Sequence, residues 1–338
     1  MIISKTPFRI SFFGGGTDYP SWYLKHGGAV LSTTIDKYCY ISCRVLPPFY
    51  GVKYKVVWSH IEVVSSISEI LHPAVRNGLR YLNIDENIRL EIHHQNDLPA
   101  RAGMGSSSSF AVGLFKALIG LQGNIIGKKE LSDMAIEFEQ NVLKENVGSQ
   151  DQTAASYGGL NVIQFFKNGN ILVEPLTISV NRIKELEDHL LLFYTGSTRL
   201  ASDIAGNFIA NFDKKQEVLH EMRSIVDRAT SILAGDQDII KFGELLHKTW
   251  LLKQSVSAVV SNEVINRIYQ TALDNGAIGG KLLGAGGAGF MLVFAPPEKH
   301  SFIKEALPTY CSVPFKFEDL GSVITYYTKA NLEYYGYK

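Results

Sequence analysis

The first hundred positions read mainly as strands. Residues 5–13, 29–45, 53–59 and 88–95 are rich in β-branched and aromatic side chains, with Gly, Pro and Asp between them. Such runs predict β-strands. The period then changes. Residues 106–121 open with four serines and continue apolar on nearly every side, which predicts a buried helix entered through the serines. A second helix is predicted over 128–145, and strands return at 160–166 and 171–176. After about Asn181 a strand over 189–196 leads into long helical stretches, up to about residue 277. A Gly-rich turn then joins two apolar runs within 281–297, and a helix and a last strand, 322–329, complete the pattern. There is no internal repeat and no low-complexity linker. The pattern predicts an α+β chain of two lobes, 1–182 and 183–338, with a cleft between them as the place for a site.

A helical wheel at about 100° per residue sorts the acidic residues of the second helix. Met134, Ala135, Ile136, Phe138, Val142 and Leu143 share one arc with Leu131, and Glu139 falls inside it. Glu137 falls on the opposite, polar side. A carboxylate among apolar neighbours needs a cation or hydrogen bonds, so Glu139 faces a metal, a basic group or a structural donor. Asp151 lies on a Gly-flanked polar stretch read as a loop. That loop follows the helix directly and brings two carboxylates near one place. Asp18 follows three glycines and Thr17, and Arg9 lies in the strand before it. Gly-rich backbone beside a hydroxyl and a carboxylate suits sugar hydroxyls, or simply ends a strand.

Composition narrows the partners. The 338 residues are 46% hydrophobic, enough for a large core, and 33 basic residues balance 33 acidic ones. No global field draws nucleic acid or an anionic membrane, so any anion is bound by local arrangement. The first residues do not read as a signal peptide, and no run approaches the roughly 18 apolar residues of a membrane span. Three cysteines make no disulfide framework. Cys39 and Cys43 fall on one face of a strand and read as small buried hydrophobes. The cytoplasm is the expected compartment.

The serine run is the first candidate for chemistry. The opening N–H groups of a helix lack partners within it, and its dipole is positive there. Gly103 and Gly105 let backbone approach a ligand, so this start either holds phosphate or is an ordinary capped helix. No G-x-x-x-x-G-K-[ST] occurs. Gly284, Gly286 and Gly289 match G-x-G-x-x-G, but an apolar strand-like run follows where a dinucleotide fold needs a helix. This stretch therefore reads as a tight turn, or as backbone approaching a ligand.

Residues 6–20, 98–110, 148–152 and 279–290, in this order and spacing, resemble the galactokinase, homoserine kinase, mevalonate kinase and phosphomevalonate kinase (GHMP) superfamily. Residues 193–204, 245–257 and 148–161 resemble its sugar 1-kinases, above all those of D-glycero-D-manno-heptose 7-phosphate. L-Fucose kinases share much of the pattern. The resemblance implies an N-terminal lobe like ribosomal protein S5 domain 2 and a C-terminal ferredoxin-like lobe. It implies ATP held by Ala102, Gly103, Met104, Gly105, Ser106, Ser107 and Ser108, with Mg²⁺ on Ser107 and Glu139. Asp151 matches the catalytic aspartate and Arg9 the basic residue facing it. Gly15, Gly16, Thr17 and Asp18 match the sugar site, with Gly286 and Gly287 closing over the substrate. A small-molecule sugar phosphate is the implied partner, and a homodimer is left open. Galactokinases carry Glu and His where this chain has Gly15 and Gly16, which argues against galactose. Glu139 and Asp151 are one residue further apart than in mevalonate kinases. Arg44, Arg101, Arg199 and Lys253 are candidates to anchor a substrate phosphate by their nearness to the motifs. A catalytically silent sugar and ATP sensor is the alternative of another class. The presence of Asp151, Arg9, Ser107 and Glu139 argues against it.

Overall fold

The computed structural model describes residues 1–196 and 201–329. Most of the first half builds one large sheet from β1 (Ile2–Phe13), β2 (Gly28–Val45), β3 (Tyr54–Val57), β4 (Ile61–Val64), β5 (Leu90–Asn96), β6 (Asn161–Phe165) and β7 (Ile171–Pro175). A small antiparallel sheet holds β8 (Leu190–Tyr194), β9 (Gly279–Leu282), β10 (Phe290–Phe294) and β11 (Cys311–Ser312), in the order β11-β8-β10-β9. Beyond it, β12 (Phe317–Glu318) and β13 (Val323–Tyr327) rejoin the large sheet beside β2 and β1. The first sheet's β7 ends at Pro175 and the second sheet begins with β8 at Leu190, while the last strands, β12 and β13, belong to the first sheet.

β1 and β2 form the spine. β2 is 18 residues long, so its first part pairs with β6 and its second with β5. The β1–β2 register shifts between Pro7 and Phe8, where proline has no N–H for the ladder. Along the second part of β2, Cys39, Ile41, Cys43 and Val45 point into the core, and Tyr40, Ser42 and Arg44 do not. This is the period of two expected of a strand with one buried face, and it buries both cysteines as free thiols.

The helices are α1 (Pro20–His26), α2 (Pro73–Tyr81), α3 (Ser106–Leu121), α4 (Lys128–Glu137), α5 (Gln150–Tyr157), α6 (Val180–Asp188), α7 (Ala201–Ile209), α8 (Gln216–Ala234), α9 (Ile240–Val256), α10 (Glu263–Asp274) and α11 (His300–Ala306). α3 is buried nearly all round, as its apolar run predicts. It lies so close to β1 that a Cβ on Gly113 would come 2.9 Å from the Thr6 hydroxyl. Each large apolar side chain it buries contributes about 1.5–3 kcal/mol, so its N-terminus is held firmly. Among the described residues no helix is long and apolar enough to cross a membrane.

Two local features differ from the sequence pattern. The helix expected over 128–145 is α-helical only to Glu137, and Phe138–Val142 forms a π turn. A π turn takes one extra residue into the helix, so the wheel loses register there. Val142, expected in the apolar arc, is accordingly exposed. Residues 150–157, read as a loop, form α5, whose Gln152, Thr153, Ala154, Ala155 and Ser156 are all buried. Its mixture of small and polar residues carries no amphipathic period.

Candidate active site

Residues from both sheets line one cleft: Arg9, Asp18, the 103–108 loop and Asp151 from the first half, Lys253, Lys281 and Gly284 from the second. β1 delivers Arg9, which is almost fully buried. Its Nε donates to Asp151 Oδ1 and its Nη2 to Oδ2, each at 2.7 Å, and Nη1 donates to the Gly103 carbonyl at 2.7 Å. Such a two-point pair fixes the orientation of the carboxylate. Asp151 sits in the first turn of α5, where the helix dipole favours a carboxylate.

The serine loop does not cap its own helix. Gly105 is the residue before α3, and no side chain bonds the helix's opening N–H groups there. Ser106 Oγ accepts from the Arg101 N–H at 3.0 Å, and Ser109 Oγ donates to the Pro7 carbonyl at 3.0 Å. The Ser107 and Ser108 hydroxyls each donate to Glu139, at 2.6 Å. The amides at the start of a rigid helix therefore face the cleft without side-chain partners, as an anion site requires. Glycine is needed where the two halves meet. Gly103 has φ +78°, and a Cβ on it would come 2.5 Å from the Leu283 carbonyl oxygen. Thus the Gly-rich turn of the second half supports the serine loop backbone to backbone.

Glu139 is fully buried. Besides the two serines it accepts from Gln152 Nε2 at 2.6 Å. Burial pushes its carboxyl up to about 7, against these donors and with the charge of Glu145 adding to the rise. The Ser107 hydroxyl also lies 3.4 Å from Glu145 Oε2. Among the described residues no cationic side chain pairs with Glu139, and the buried Gln152 Oε1 beside it has no hydrogen-bond partner. A hydroxyl between two carboxylates is an all-oxygen donor set, and it fits a hard divalent cation such as Mg²⁺. The wheel separates the two glutamates correctly, since Glu137 is exposed.

Asp18 is also buried, and accepts from the Gly16 N–H at 2.8 Å and the Gln150 N–H at 3.4 Å. Burial pushes its carboxyl up to about 6, with the Asp151 charge adding to the effect. Gly148 packs so tightly on it that a Cβ would lie 1.9 Å from Asp18 Oδ2. Gly15 and Gly16 line the cleft beside Asp18. Thr17 does not; its hydroxyl donates to the Gly14 and Ala29 carbonyls, at 2.8 and 3.0 Å, and holds the turn. Ala102 and Met104 are buried beneath the loop. Gly286 and Gly287 pack on Val260, where the Gly287 N–H donates at 2.8 Å, and Gly284 and Ala285 line the cleft instead.

Of the four basic candidates, Arg101 and Lys253 line the cleft. Arg44 is tied to Glu91 on the open face of the large sheet, away from it. Arg199 lies outside the described residues. Sequence reading passed over Lys281, which is buried and donates to the Ser11 and Phe12 carbonyls at 2.8 and 2.9 Å, strapping β9 to β1. A lysine inside an otherwise apolar strand was the available signal. Glu145, Gly148 and Gln150 had none beyond their nearness to Asp151.

Comparison with known proteins gives a consistent result. A family model described as GHMP kinases N terminal domain matches residues 69–159, and one described as GHMP kinases C terminal matches 229–313. A D-glycero-alpha-D-manno-heptose 7-phosphate kinase of Campylobacter jejuni is 31% identical over 318 residues, which cover 90% of this chain and 92% of that protein. An L-fucokinase/L-fucose-1-P guanylyltransferase of Bacteroides fragilis is 24% identical, over 87% of this chain but only 34% of its own length. Among solved structures, a D-glycero-D-manno-heptose 1-phosphate kinase from Bacteroides thetaiotaomicron superposes with a TM-score of 0.79 at 24% identity, covering 97% of this chain and 100% of that one. The last likeness is one of fold.

Proposed function

The chain belongs to the GHMP kinases, ATP-dependent phosphotransferases with an alcohol acceptor, and on that premise we propose a specific acceptor. It is D-glycero-D-manno-heptose 7-phosphate, phosphorylated on its anomeric hydroxyl to the 1,7-bisphosphate. The product serves nucleotide-activated heptose and surface polysaccharide synthesis in the cytoplasm. The observation that carries a kinase reading of the cleft is the Arg9–Asp151 pair at its centre, beside a helix start with no side-chain cap. The relative with 31% identity carries the choice of sugar.

Phosphoryl transfer needs positioning and charge neutralisation more than covalent chemistry. The α3 amides and the Gly103–Gly105 backbone receive the ATP phosphates. Ser107 and Glu139, with Glu145 adjacent, hold the divalent cation. A Mg²⁺ held there would supply charge neutralisation for the phosphates. Arg9 holds the Asp151 carboxylate in place through two hydrogen bonds. Asp151 then accepts or orients the proton of the anomeric hydroxyl as its oxygen attacks the γ-phosphorus of ATP, the bond to the β,γ-bridging oxygen breaks and ADP leaves. Asp18 and the Gly15–Gly16 backbone bind sugar hydroxyls, and the absence of side chains at both glycines leaves room for a seven-carbon sugar.

The test is the position of the new phosphate. Phosphorus NMR of the product made from heptose 7-phosphate and ATP is expected to show a second phosphate on the anomeric carbon. A phosphate on any other hydroxyl overturns the proposal.

A further inference from the structure

Among the described residues, four basic side chains line the cleft: Arg9, Arg101, Lys253 and Lys281. Two are anchored to the first half. Arg9 gives its Nε, Nη1 and Nη2 to Asp151 and the Gly103 carbonyl. Lys281 gives two of its three N–H groups to β1 carbonyls and straps β9 to β1. Arg101 is exposed at the start of the serine loop, and its charge acts on Glu145, on the nucleotide side.

Among the described residues Lys253, by contrast, bonds only within its own half of the chain. It projects from the last turn of α9, is only 7% exposed, and makes no ion pair among the described residues. Its ammonium donates to the Gly284 carbonyl and, at 3.4 Å, to that of Leu282. That uses two of three N–H donors. The charges that act on it are Arg9 of β1 and Asp18 just beyond β1. Lys281 of β9 is a neighbour too, since the charge of Lys253 acts on it. Asp18 belongs to the sugar side of the cleft. Burial, with Arg9 adding, pushes the Lys253 ammonium down to about 7. A buried cation with carbonyl partners only is stabilised by an arriving anion.

We propose that Lys253 receives the phosphate the acceptor already carries, and so makes the enzyme select a phosphorylated sugar over a free one. The inference rests on the reading of the acceptor as a sugar phosphate.

The experiment compares kcat/KM for heptose 7-phosphate and for the same heptose without phosphate. Lys253→Met is expected to lower the ratio of the two at least tenfold, Lys253→Arg to recover part of it, and the KM for ATP to stay within threefold. An unchanged ratio in Lys253→Met, from equal losses on both acceptors or from no loss, overturns the role of Lys253. A wild-type enzyme that does not prefer the phosphorylated acceptor overturns the sugar phosphate reading and this inference together, so the two failures are distinct. A second measurement needs no variant. Carbamylation of Lys253 by cyanate in the wild-type enzyme, read by peptide mass spectrometry, should slow at least fivefold with saturating heptose 7-phosphate and not with free heptose. Equal rates with the two sugars overturn the proposal.

Discussion

Arg9 and Asp151 are 142 residues apart in sequence and meet through two hydrogen bonds of 2.7 Å. Removing one carboxylate oxygen tests what the pair does. Asp151→Asn keeps the size of the side chain and its place in the first turn of α5, but can no longer accept the acceptor's proton. It should lower kcat by about 100-fold or more, the range of a positioned acid–base group, while the KM for ATP changes little. Turnover near wild type would remove Asp151 from the chemistry. Little at this scale could be read from the residues alone. Asp18, Glu139 and Asp151 stood out because a carboxylate beside glycines or inside an apolar arc needs an explanation. That Arg9 faces Asp151 came only from the resemblance, since no local period relates a strand residue to one so distant. Lys281 escaped notice because its partners are main-chain carbonyls, which leave no mark in a sequence.

At the scale of elements, α3 was legible because its apolar run is long and its start is rich in serine and glycine. α5 was not, because small and polar residues buried on several sides have no period to detect. The wheel succeeded at Glu139, which directly follows the first residue of the π turn, and failed at Val142, at its end. The proposed metal site is tested at this scale. Ser107→Ala and Glu139→Ala should each raise the Mg²⁺ concentration needed for half-maximal activity, and the exposed Glu137→Ala should not. Equal effects at the two glutamates would contradict the assignment.

The contact between the serine loop and the Gly-rich turn can be tested by a matched pair of substitutions. Gly103 and Gly123 have φ of +78° and +82°, so alanine strains the backbone similarly at each. A Cβ on Gly103 would strike the Leu283 carbonyl, whereas one on Gly123 meets nothing within 4 Å. Gly123→Ala should therefore cost about 1 kcal/mol from backbone strain alone, and Gly103→Ala clearly more in Tm, with a loss of kcat. Equal Tm changes would mean that the loop does not lean on the turn.

For the whole molecule, the alternation of strands and helices indicated two lobes and a cleft. It did not indicate that β12 and β13 cross back to the large sheet, because sheet partners so far apart in sequence leave no local signal. That return joins the chain's two ends in one sheet. β13 lies beside β1, and the Lys281 strap ties β9 to the same strand. In the proposed reading the assembled cleft chooses the acceptor, with Lys253 setting its preference for a phosphorylated sugar. That choice is measured most directly by kcat/KM over a panel of free sugars and sugar phosphates with saturating ATP and Mg²⁺. The account predicts that D-glycero-D-manno-heptose 7-phosphate exceeds L-fucose and every unphosphorylated hexose by at least tenfold. If L-fucose or a free hexose exceeds the heptose phosphate by that margin, the proposed acceptor is contradicted.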